Sequence, residues 1–146
     1  MKLNQDGIDL IKHFEQCRLK AYPDPATGKA PWTIGWGATG EGIGPNVTWT
    51  QEQCDQRLVA DLASISARVL RIITVQCTDN QFSAIVSLAY NIGLGNLKSS
   101  TLLKLVNSKD FSNASKEFCK WSKANGKVMG GLLTRREAEE ALFLKA

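Results

Sequence analysis

A stretch rich in glycine, proline and threonine, residues 21–48, constrains the fold of this chain more than any other segment. Prolines stand on both sides of Asp24, and proline disfavours helix at its own position and at the preceding one, so no helix can continue here. Apolar side chains then alternate with other residues, at Trp32, Ile34 and Trp36. The alternation predicts a short strand, and the glycines that follow predict the turns of a small hairpin sheet.

The residues before this stretch have the spacing of an amphipathic helix. Their apolar members stand at Ile8, Leu10, Ile11 and Phe14. Asn4 or Asp6 can cap the first turn, because each side chain accepts a hydrogen bond from a backbone N–H group that has no helical partner. A first helix is therefore predicted to end near Glu15.

The residues after the stretch predict five further helices. The second helix opens with one of two possible capping boxes, Thr48 with Gln51 or Thr50 with Gln53. One face of this helix is predicted to be apolar, and the long helix is expected to join a small sheet lobe to a helical lobe. The stripe on that face consists of Leu58, Leu62, Ile65, Val69 and Ile72. The third helix, from Asp79 to about Asn91, is capped by Thr78 and ended by Gly93, and it is apolar on most sides, which predicts a central buried helix.

The last three helices are predicted from caps and spacing. The fourth starts at Ser99 or Ser100 and runs through Leu105, and the fifth runs from Asp110 to about Lys123. Thr134 is expected to cap the final helix, with Glu137 as the reciprocal member of a capping box.

Two carboxylates, Glu15 and Asp24, lie nine positions apart in different predicted structures. One ends a helix and the other lies in a turn. Carboxyl groups in different environments can differ in pKa, so that one stays protonated while the other stays ionised. Glycoside hydrolysis uses such a pair.

The same stretch resembles the active-site segment of the bacteriophage T4-type lysozymes, glycoside hydrolase family 24. The family pattern is a Glu near the end of the first helix, then Arg-Leu-Lys-x-Tyr-x-Asp, then Thr-Ile-Gly-x-Gly. This chain has Glu15, then Arg-Leu-Lys-Ala-Tyr-Pro-Asp at residues 18–24, then Thr-Ile-Gly-Trp-Gly at residues 33–37. Two positions depart from the pattern: Gln16 replaces the usual glycine after the acid, and Ala38 replaces a common histidine.

The resemblance implies one lysozyme-like catalytic domain over residues 1–146. Its fold would be α+β, mainly α, with a small antiparallel sheet lobe and a larger helical lobe around a cleft. Its reaction would be hydrolysis of the β-1,4 bond between N-acetylmuramic acid and N-acetylglucosamine in peptidoglycan. Glu15 would be the general acid, while Asp24 and the Thr33 hydroxyl would activate a water on the opposite sugar face, which gives inversion.

The resemblance extends into the helical part. Tyr90 and Asn91 match a segment that binds substrate, and Arg135 matches an arginine that in the family reaches back to the catalytic Glu. The family resemblance implies no metal or organic cofactor, and His13 has no partner at metal-ligand spacing. The four cysteines are predicted to be free thiols, since a chain of this size needs no disulfide: Cys17, Cys54, Cys77 and Cys119.

Charge is unevenly distributed along the chain. Residues 98–146 contain ten Lys or Arg and five Asp or Glu, whereas residues 1–97 contain eight and nine. The basic part includes four residues that we call the lysine cluster, Lys116, Lys120, Lys123 and Lys127. It could favour electrostatic contact with an anionic envelope, and an ordinary solvated surface is the alternative.

The N-terminus lacks the apolar segment of a signal peptide, and no apolar run approaches the ~18 residues of a membrane span. The expected protein is a monomer that acts on peptidoglycan glycan strands, not on nucleic acid. It would stay in the host cytoplasm until a holin lesion releases it to the periplasm, as in phage lysis.

Two alternatives remain open. A lytic transglycosylase would use a single acid and cyclise the sugar, and Asp24 and Thr33 argue against it. A non-catalytic module that binds cell wall or nucleic acid is suggested only by the basic part of the chain, and such a module has no need for the spacing of Glu15, Asp24 and Thr33.

Overall fold

The computed structural model describes residues 1–124 and 126–146 of the chain. The fold is α+β and mainly α, as predicted. The helices are α1 (Gln5–Glu15), α2 (Gln51–Ile72), α3 (Asp79–Ile92), α4 (Leu94–Lys98), α5 (Thr101–Asn107), α6 (Phe111–Ser115), a 3-10 helix (Phe118–Trp121) and α7 (Gly130–Leu144). The strands are β1 (Arg18–Tyr22), β2 (Thr33–Gly35), β3 (Lys123–Ala124) and β4 (Lys127–Val128).

The chain forms two compact units. The smaller unit contains residues 12–63, and the larger contains residues 1–11 and 64–146. Both α1 and α2 contribute residues to each unit.

The smaller unit is built on an antiparallel hairpin of β1 and β2. Arg18 pairs with Gly35 and Tyr22 with Thr33, with an irregularity between the two pairs. The buried apolar cluster of this unit is Ala21, Ile34 and Ala38. The hairpin was predicted, but the strand is shorter than the alternation suggested. It ends at Gly35, whose φ of 65° turns the chain, so Trp36 lies in a loop and not in the strand.

Helix α2 begins with the second of the two predicted capping boxes. The backbone N–H of Gln53 donates to the Thr50 hydroxyl at 3.1 Å, and the N–H of Thr50 donates to the Gln53 side chain at 2.8 Å. The predicted apolar stripe is buried at Leu58, Leu62 and Val69 and partly buried at Ile65 and Ile72.

The larger unit is organised around α3, the predicted central helix. Residues 82–89 of α3 are buried, and the helix packs extensively on α7. Its start is capped by Thr78, as predicted, and Gln81 completes a capping box that was not predicted; the N–H of Gly93 closes its end by donating to the Ala89 carbonyl at 2.9 Å. The helix therefore begins and ends where its local chemistry indicates.

Two predicted helices in this unit were wrong in extent, and a short one, α4, was not predicted. The helix capped by Asp110 ends at Ser115, not near Lys123, because i→i+3 bonds such as Glu117 N–H to Ala114 replace the α-helical pattern. The 3-10 helix and the β3–β4 hairpin follow.

The final helix begins earlier than predicted. Its N-cap is Met129, so Thr134 lies inside α7. The Thr134 hydroxyl donates to the carbonyl of Gly130, four residues earlier, at 2.9 Å and caps nothing. The fourth predicted helix is α5, which is capped by Ser100, one of the two alternatives.

Of the helices in residues 1–124 and 126–146, none combines the length and the apolar character that a membrane crossing requires.

Candidate active site

The predicted general acid, Glu15, is the last residue of α1. The chain leaves the helix at Gln16, which has a left-handed φ of 55° and whose N–H donates to the Lys12 carbonyl at 3.0 Å. A left-handed residue is a common helix ending and is most often glycine. Gln16 thus adopts the conformation for which glycine is best suited, and Glu15 is held, half-buried, at the end of a regular helix.

The carboxyl group of Glu15 lies against the backbone of Gly37. A Cβ atom at position 37 would stand 2.7 Å from Glu15 Oε1 and 3.1 Å from Glu15 Cδ. Both distances are shorter than ordinary van der Waals contact, so any side chain at position 37 would displace this carboxyl group from its present position. The φ of Gly37, 91°, also favours glycine. The last glycine of the Thr-Ile-Gly-x-Gly motif is therefore a wall of the acid's site.

Gly37 ends a three-residue loop, residues 35–37, that is closed by a reciprocal pair of hydrogen bonds. The N–H of Ile34 donates to the carbonyl of Ala38 at 2.9 Å, and the N–H of Ala38 donates back to Ile34 at 2.8 Å. Ile34 and Ala38 are both buried. The wall beside Glu15 is consequently part of a tight turn anchored in the apolar cluster of the smaller unit.

Asp24 and Thr33 lie at the opposite end of the β1–β2 hairpin. Asp24 is two residues beyond β1, where its Oδ1 accepts the N–H of Ala26 at 2.9 Å and its carbonyl accepts the N–H of Gly28 at 2.8 Å. This Asx-type turn fixes the orientation of the carboxylate. Thr33 pairs with Tyr22, the last residue of β1. The hairpin thus brings Asp24 and Thr33 to one end and leaves the loop that borders Glu15 at the other.

The loop carries a polar contact that the sequence did not predict. Trp36 Nε1 donates to Asp55 Oδ1 at 2.8 Å, and Gln51 Nε2 donates to the same oxygen at 3.0 Å. The Lys12 ammonium lies 5.3 Å from the centroid of the Trp36 ring. The indole N–H, then the Gln51 amide, lower the pKa of Asp55. Nineteen positions separate Trp36 from Asp55, so no local pattern relates them.

Three residues predicted to bind substrate lie in the larger unit. Tyr90 is half-buried and Asn91 exposed in the last turn of α3. Arg135 is buried on α7, where its guanidinium donates to Glu139 Oε2 and to the Ser87 carbonyl, each at 3.3 Å.

Arg135 belongs to a buried charge network. Arg136 and Glu139 are fully buried and form an ion pair at 2.7 Å, and Ser87 donates to Glu139 at 2.5 Å. Burial raises the pKa of Glu139, and the two guanidinium groups oppose that effect. Sequence reasoning missed Arg136 and Glu139, because a charged residue on a helix is usually exposed.

The four cysteines are free thiols. Burial, with a contact from the Cys17 thiol, raises the pKa of Cys54 to about 11. Burial and the neighbouring Glu140 carboxylate raise the pKa of Cys119 to about 11.

The sequence matches the Phage lysozyme family over residues 12–139. The chain belongs to the phage lysozyme family. The match includes Glu15, Asp24 and Thr33 together with the loop that borders the acid.

Relatives within the phage lysozyme family are similar along nearly all of the chain. An endolysin of Acyrthosiphon pisum secondary endosymbiont phage 1 is 46% identical over 151 residues, covering all of both chains. An endolysin of Bacillus phage B103 is 45% identical over 144 residues, which are 99% of this chain and 54% of that protein. The chain therefore spans about half the length of the Bacillus phage relatives and the full length of the other.

Solved structures of phage lysozyme type share the fold. The muramidase domain of SpmX from Asticaccaulis excentricus superposes with a TM-score of 0.88 at 33% identity, over 99% of each chain. An endolysin from Escherichia coli O157:H7 phage FAHEc1 has a TM-score of 0.85 at 35% identity, over 99% of this chain and 94% of its own.

The second departure from the family pattern, Ala38, lies in the apolar interior of the smaller unit. Its side chain is buried in the apolar cluster with Ala21 and Ile34. The next carbonyl, that of Thr39, accepts a hydrogen bond from Arg57 at 3.1 Å, and Arg57 pairs with Asp61 at 3.0 Å. The segment after the loop is thus tied to α2 through an arginine.

A shallow depression of about 610 Å³ lies along the first turns of α2. The described residues that line it are Gln51, Glu52, Asp55, Gln56 and Val59, and they include none of the three predicted catalytic residues. Within residues 1–124 and 126–146, no cluster of His, Cys, Asp and Glu has the arrangement of a metal site.

Proposed function

We propose that this chain is the catalytic domain of a phage endolysin, a lysozyme that hydrolyses the β-1,4 bond between N-acetylmuramic acid and N-acetylglucosamine in peptidoglycan. The observation that carries the proposal is the packing of the Glu15 carboxyl group against Gly37, at a position where any side chain would collide with it. A carboxyl group seated this closely in a tight loop is held as a general acid must be. Membership of the phage lysozyme family supports the same activity.

Glu15 is the general acid in this mechanism. It gives its proton to the glycosidic oxygen as the bond to the muramic acid carbon breaks, so that the leaving sugar departs as an alcohol. Asp24 accepts a proton from a water molecule that the Thr33 hydroxyl helps to hold, and the resulting hydroxide equivalent attacks the anomeric carbon. Hydrolysis consumes one water, and no cofactor takes part.

The layout of the hairpin supports an inverting mechanism. Thr33 is the first residue of β2, Asp24 lies two residues beyond its partner Tyr22, and the loop beside Glu15 follows the last residue of β2. The two ends of β2 are about 7 Å apart at ~3.3 Å per residue, so the proposed acid and base belong to opposite ends of one short strand. Inverting glycosidases separate their carboxyl groups by roughly 6.5–9.5 Å to leave room for water between acid and base.

The helical part contributes to substrate binding in this proposal. Tyr90 and Asn91 contact the glycan, and Arg135 keeps the orientation that the buried Glu139 carboxylate and the Ser87 carbonyl impose on it. These roles follow from the family resemblance. The protein acts as a monomer on glycan strands after a holin lesion admits it to the periplasm.

The lysine cluster assists by contact with the anionic envelope. Lys123 and Lys127 are exposed on the β3–β4 hairpin, while Lys120 is paired with Glu117 and contributes less. Coulomb attraction between exposed charges is long-ranged only at low salt.

The deciding experiment replaces Glu15 by Gln. The amide cannot donate the proton, so lysis of chloroform-treated Gram-negative cells should fall by about 10²–10⁴-fold, the usual contribution of a general acid. Asp9→Asn is the matched control, because Asp9 is an exposed acid on the same helix that accepts a hydrogen bond from Gln5. Lysis by Glu15→Gln at the wild-type rate, with Asp9→Asn also active, would remove Glu15 from the mechanism.

Product analysis separates the remaining alternatives. NMR of freshly released fragments should show the α-anomer first if the enzyme inverts and the β-anomer first if it retains. Anhydro-muramyl ends in the mass spectrum would instead identify a lytic transglycosylase. A chain that binds walls and releases no fragments would be a non-catalytic module.

A further inference from the structure

We propose that Asp55 is a positioning residue for the general acid: it holds Trp36, and through Trp36 it holds the loop of residues 35–37 against Glu15. The inference rests on the proposed function, because it concerns the same acid. Asp55 itself touches neither Glu15 nor the substrate in this scheme.

The first step is the contact between Asp55 and the loop. Trp36 Nε1 donates to Asp55 Oδ1 at 2.8 Å, and Gln51 supports the same oxygen at 3.0 Å. Hydrogen bonds to an ionised acceptor are about twice as strong as bonds between neutral groups. Asp55 lies one turn into α2, so the hydrogen bond joins the loop to a helix of 22 residues.

The second step concerns the side chain of Trp36, which has polar and charged contacts. A buried cluster of the smaller unit consists of Ala21, Ile34 and Ala38, and the half-buried apolar side chains packed against it are Trp32, Ile43, Val47 and Trp49. Trp36 is half-buried outside this cluster. Its contacts include Asp55 at the indole N–H and Lys12 over the ring.

The third step links the loop to the acid from both sides. Lys12 lies three residues before Glu15 on α1, so the ring of Trp36 rests beside the helical turn that carries the acid. Gly37, the next residue along the loop, forms the wall against the carboxyl group. The two glycines that flank Trp36 allow the loop backbone a wide range of conformations, so the contacts of the Trp36 side chain add to the anchoring that the Ile34–Ala38 hydrogen bonds provide.

Loss of the hydrogen bond between Trp36 and Asp55 should therefore lower the catalytic rate. Displacement of a catalytic group by about 1 Å can reduce the rate by ~10²-fold. We expect Asp55→Ala to lower kcat on a soluble peptidoglycan fragment by about tenfold, with KM changed by less than twofold, because the binding of substrate does not involve this residue.

A double-mutant cycle tests whether the effect passes through the indole. Trp36→Phe keeps the ring under Lys12 but removes the N–H donor, so it should also lower kcat by about tenfold. The double variant should be no slower than either single variant, because both remove one interaction. Asp55→Asn keeps an acceptor oxygen and should restore kcat to within about threefold of wild type.

Three further measurements separate this proposal from a general effect on stability and from the proposed function. Glu52→Ala changes an exposed acid on the same turn of α2 and should leave kcat unchanged. The indole N–H resonance of Trp36, assigned by its loss in Trp36→Phe, should move in Asp55→Ala and return toward its wild-type position in Asp55→Asn. Glu15→Gln, assayed on the same fragment, tests the acid itself.

The outcomes are distinct. Wild-type kcat in Asp55→Ala, rate factors for the two single variants that multiply in the double variant, or an Asp55→Asn enzyme as slow as Asp55→Ala would each overturn the role of Asp55. If Glu15→Gln is as active as wild type, the proposed function fails instead, whatever Asp55 does.

Discussion

Replacing Gly37 by alanine tests the site with the smallest possible change. The added methyl group would stand 2.7 Å from Glu15 Oε1 and 3.1 Å from Glu15 Cδ. Favourable contact between heavy atoms lies near 3.5–4.0 Å, so the carboxyl group would have to withdraw by roughly 0.5–1 Å. Because it is the far end of a flexible side chain, Glu15 can withdraw without unfolding the loop.

The substitution should therefore lower both the folding stability and the activity, for two separate reasons. A non-glycine residue in the left-handed region costs about 1–3 kcal/mol of folding free energy, and the φ at this position is 91°. Displacement of the acid by about 1 Å should in addition reduce kcat by ~10²-fold. Gly37→Ala should thus be folded, somewhat less stable and nearly inactive.

Gly42 provides a matched control for the stability cost of placing a non-glycine residue at a positive φ. Gly42 has a φ of 82°, close to that of Gly37, and a Cβ atom added there would meet nothing within 4 Å. Gly42→Ala should lose similar stability and retain wild-type kcat. Thermal unfolding and turnover of a soluble fragment, measured for both variants at 25 °C, separate the two effects.

Either of two results would refute the role of Gly37 in holding the Glu15 carboxyl group. Gly37→Ala with kcat within twofold of wild type would mean that the carboxyl group is not held by this wall. An equal loss of kcat in Gly42→Ala would mean that backbone strain, not contact with Glu15, reduces activity.

Three further predictions concern the rest of the chain. Asp24→Asn and Thr33→Ala should reduce turnover far more than wall binding in a sedimentation assay, because both groups act on the attacking water. At pH 8, iodoacetamide should alkylate Cys54 and Cys119 roughly 10²-fold more slowly in the folded protein than in urea, since raised pKa values keep both thiols protonated. The same shifts should make stability fall as pH rises from about 9 to about 11. Replacing the lysine cluster by Gln should flatten the salt dependence of wall lysis and leave turnover of a soluble fragment unchanged; an undiminished salt response would show that the cluster is only a solvated surface.

Local signals in the sequence predicted the features that depend on a few neighbouring residues. The cap at Thr78 and the helix end at Gly93 require only groups within one or two turns. The turn at Asp24 follows in the same way from its flanking prolines and its own side chain. Such hydrogen bonds form between residues of one short segment, so the tertiary fold does not alter them.

The errors occur where local signals compete. Thr134 with Glu137 has the form of a capping box, but the helix starts earlier, and the hydroxyl bonds to the carbonyl of Gly130 inside the helix. Helix α7 begins at Gly130 without a side-chain cap, since its N-cap residue is Met129, so no cap preference could locate its start. The strand predicted through Trp36 failed for a related reason, since Gly35 turns the chain and the polar partner of Trp36 lies on a distant helix.

The part of the site that could not be predicted is the part that holds the acid in place. The motif identifies Glu15 and Gly37, and glycine at 37 is required by a contact between residues 22 positions apart. The hydrogen bond from Trp36 to Asp55 also joins residues that are distant in sequence, and it forms only because the start of α2 lies beside the hairpin loop. Chemistry-bearing residues are therefore recognisable from the motif, whereas the groups that set their geometry are recognisable only after the chain has brought them together. A substitution at Asp55 would leave every motif residue unchanged and, by this reasoning, would still reduce the rate.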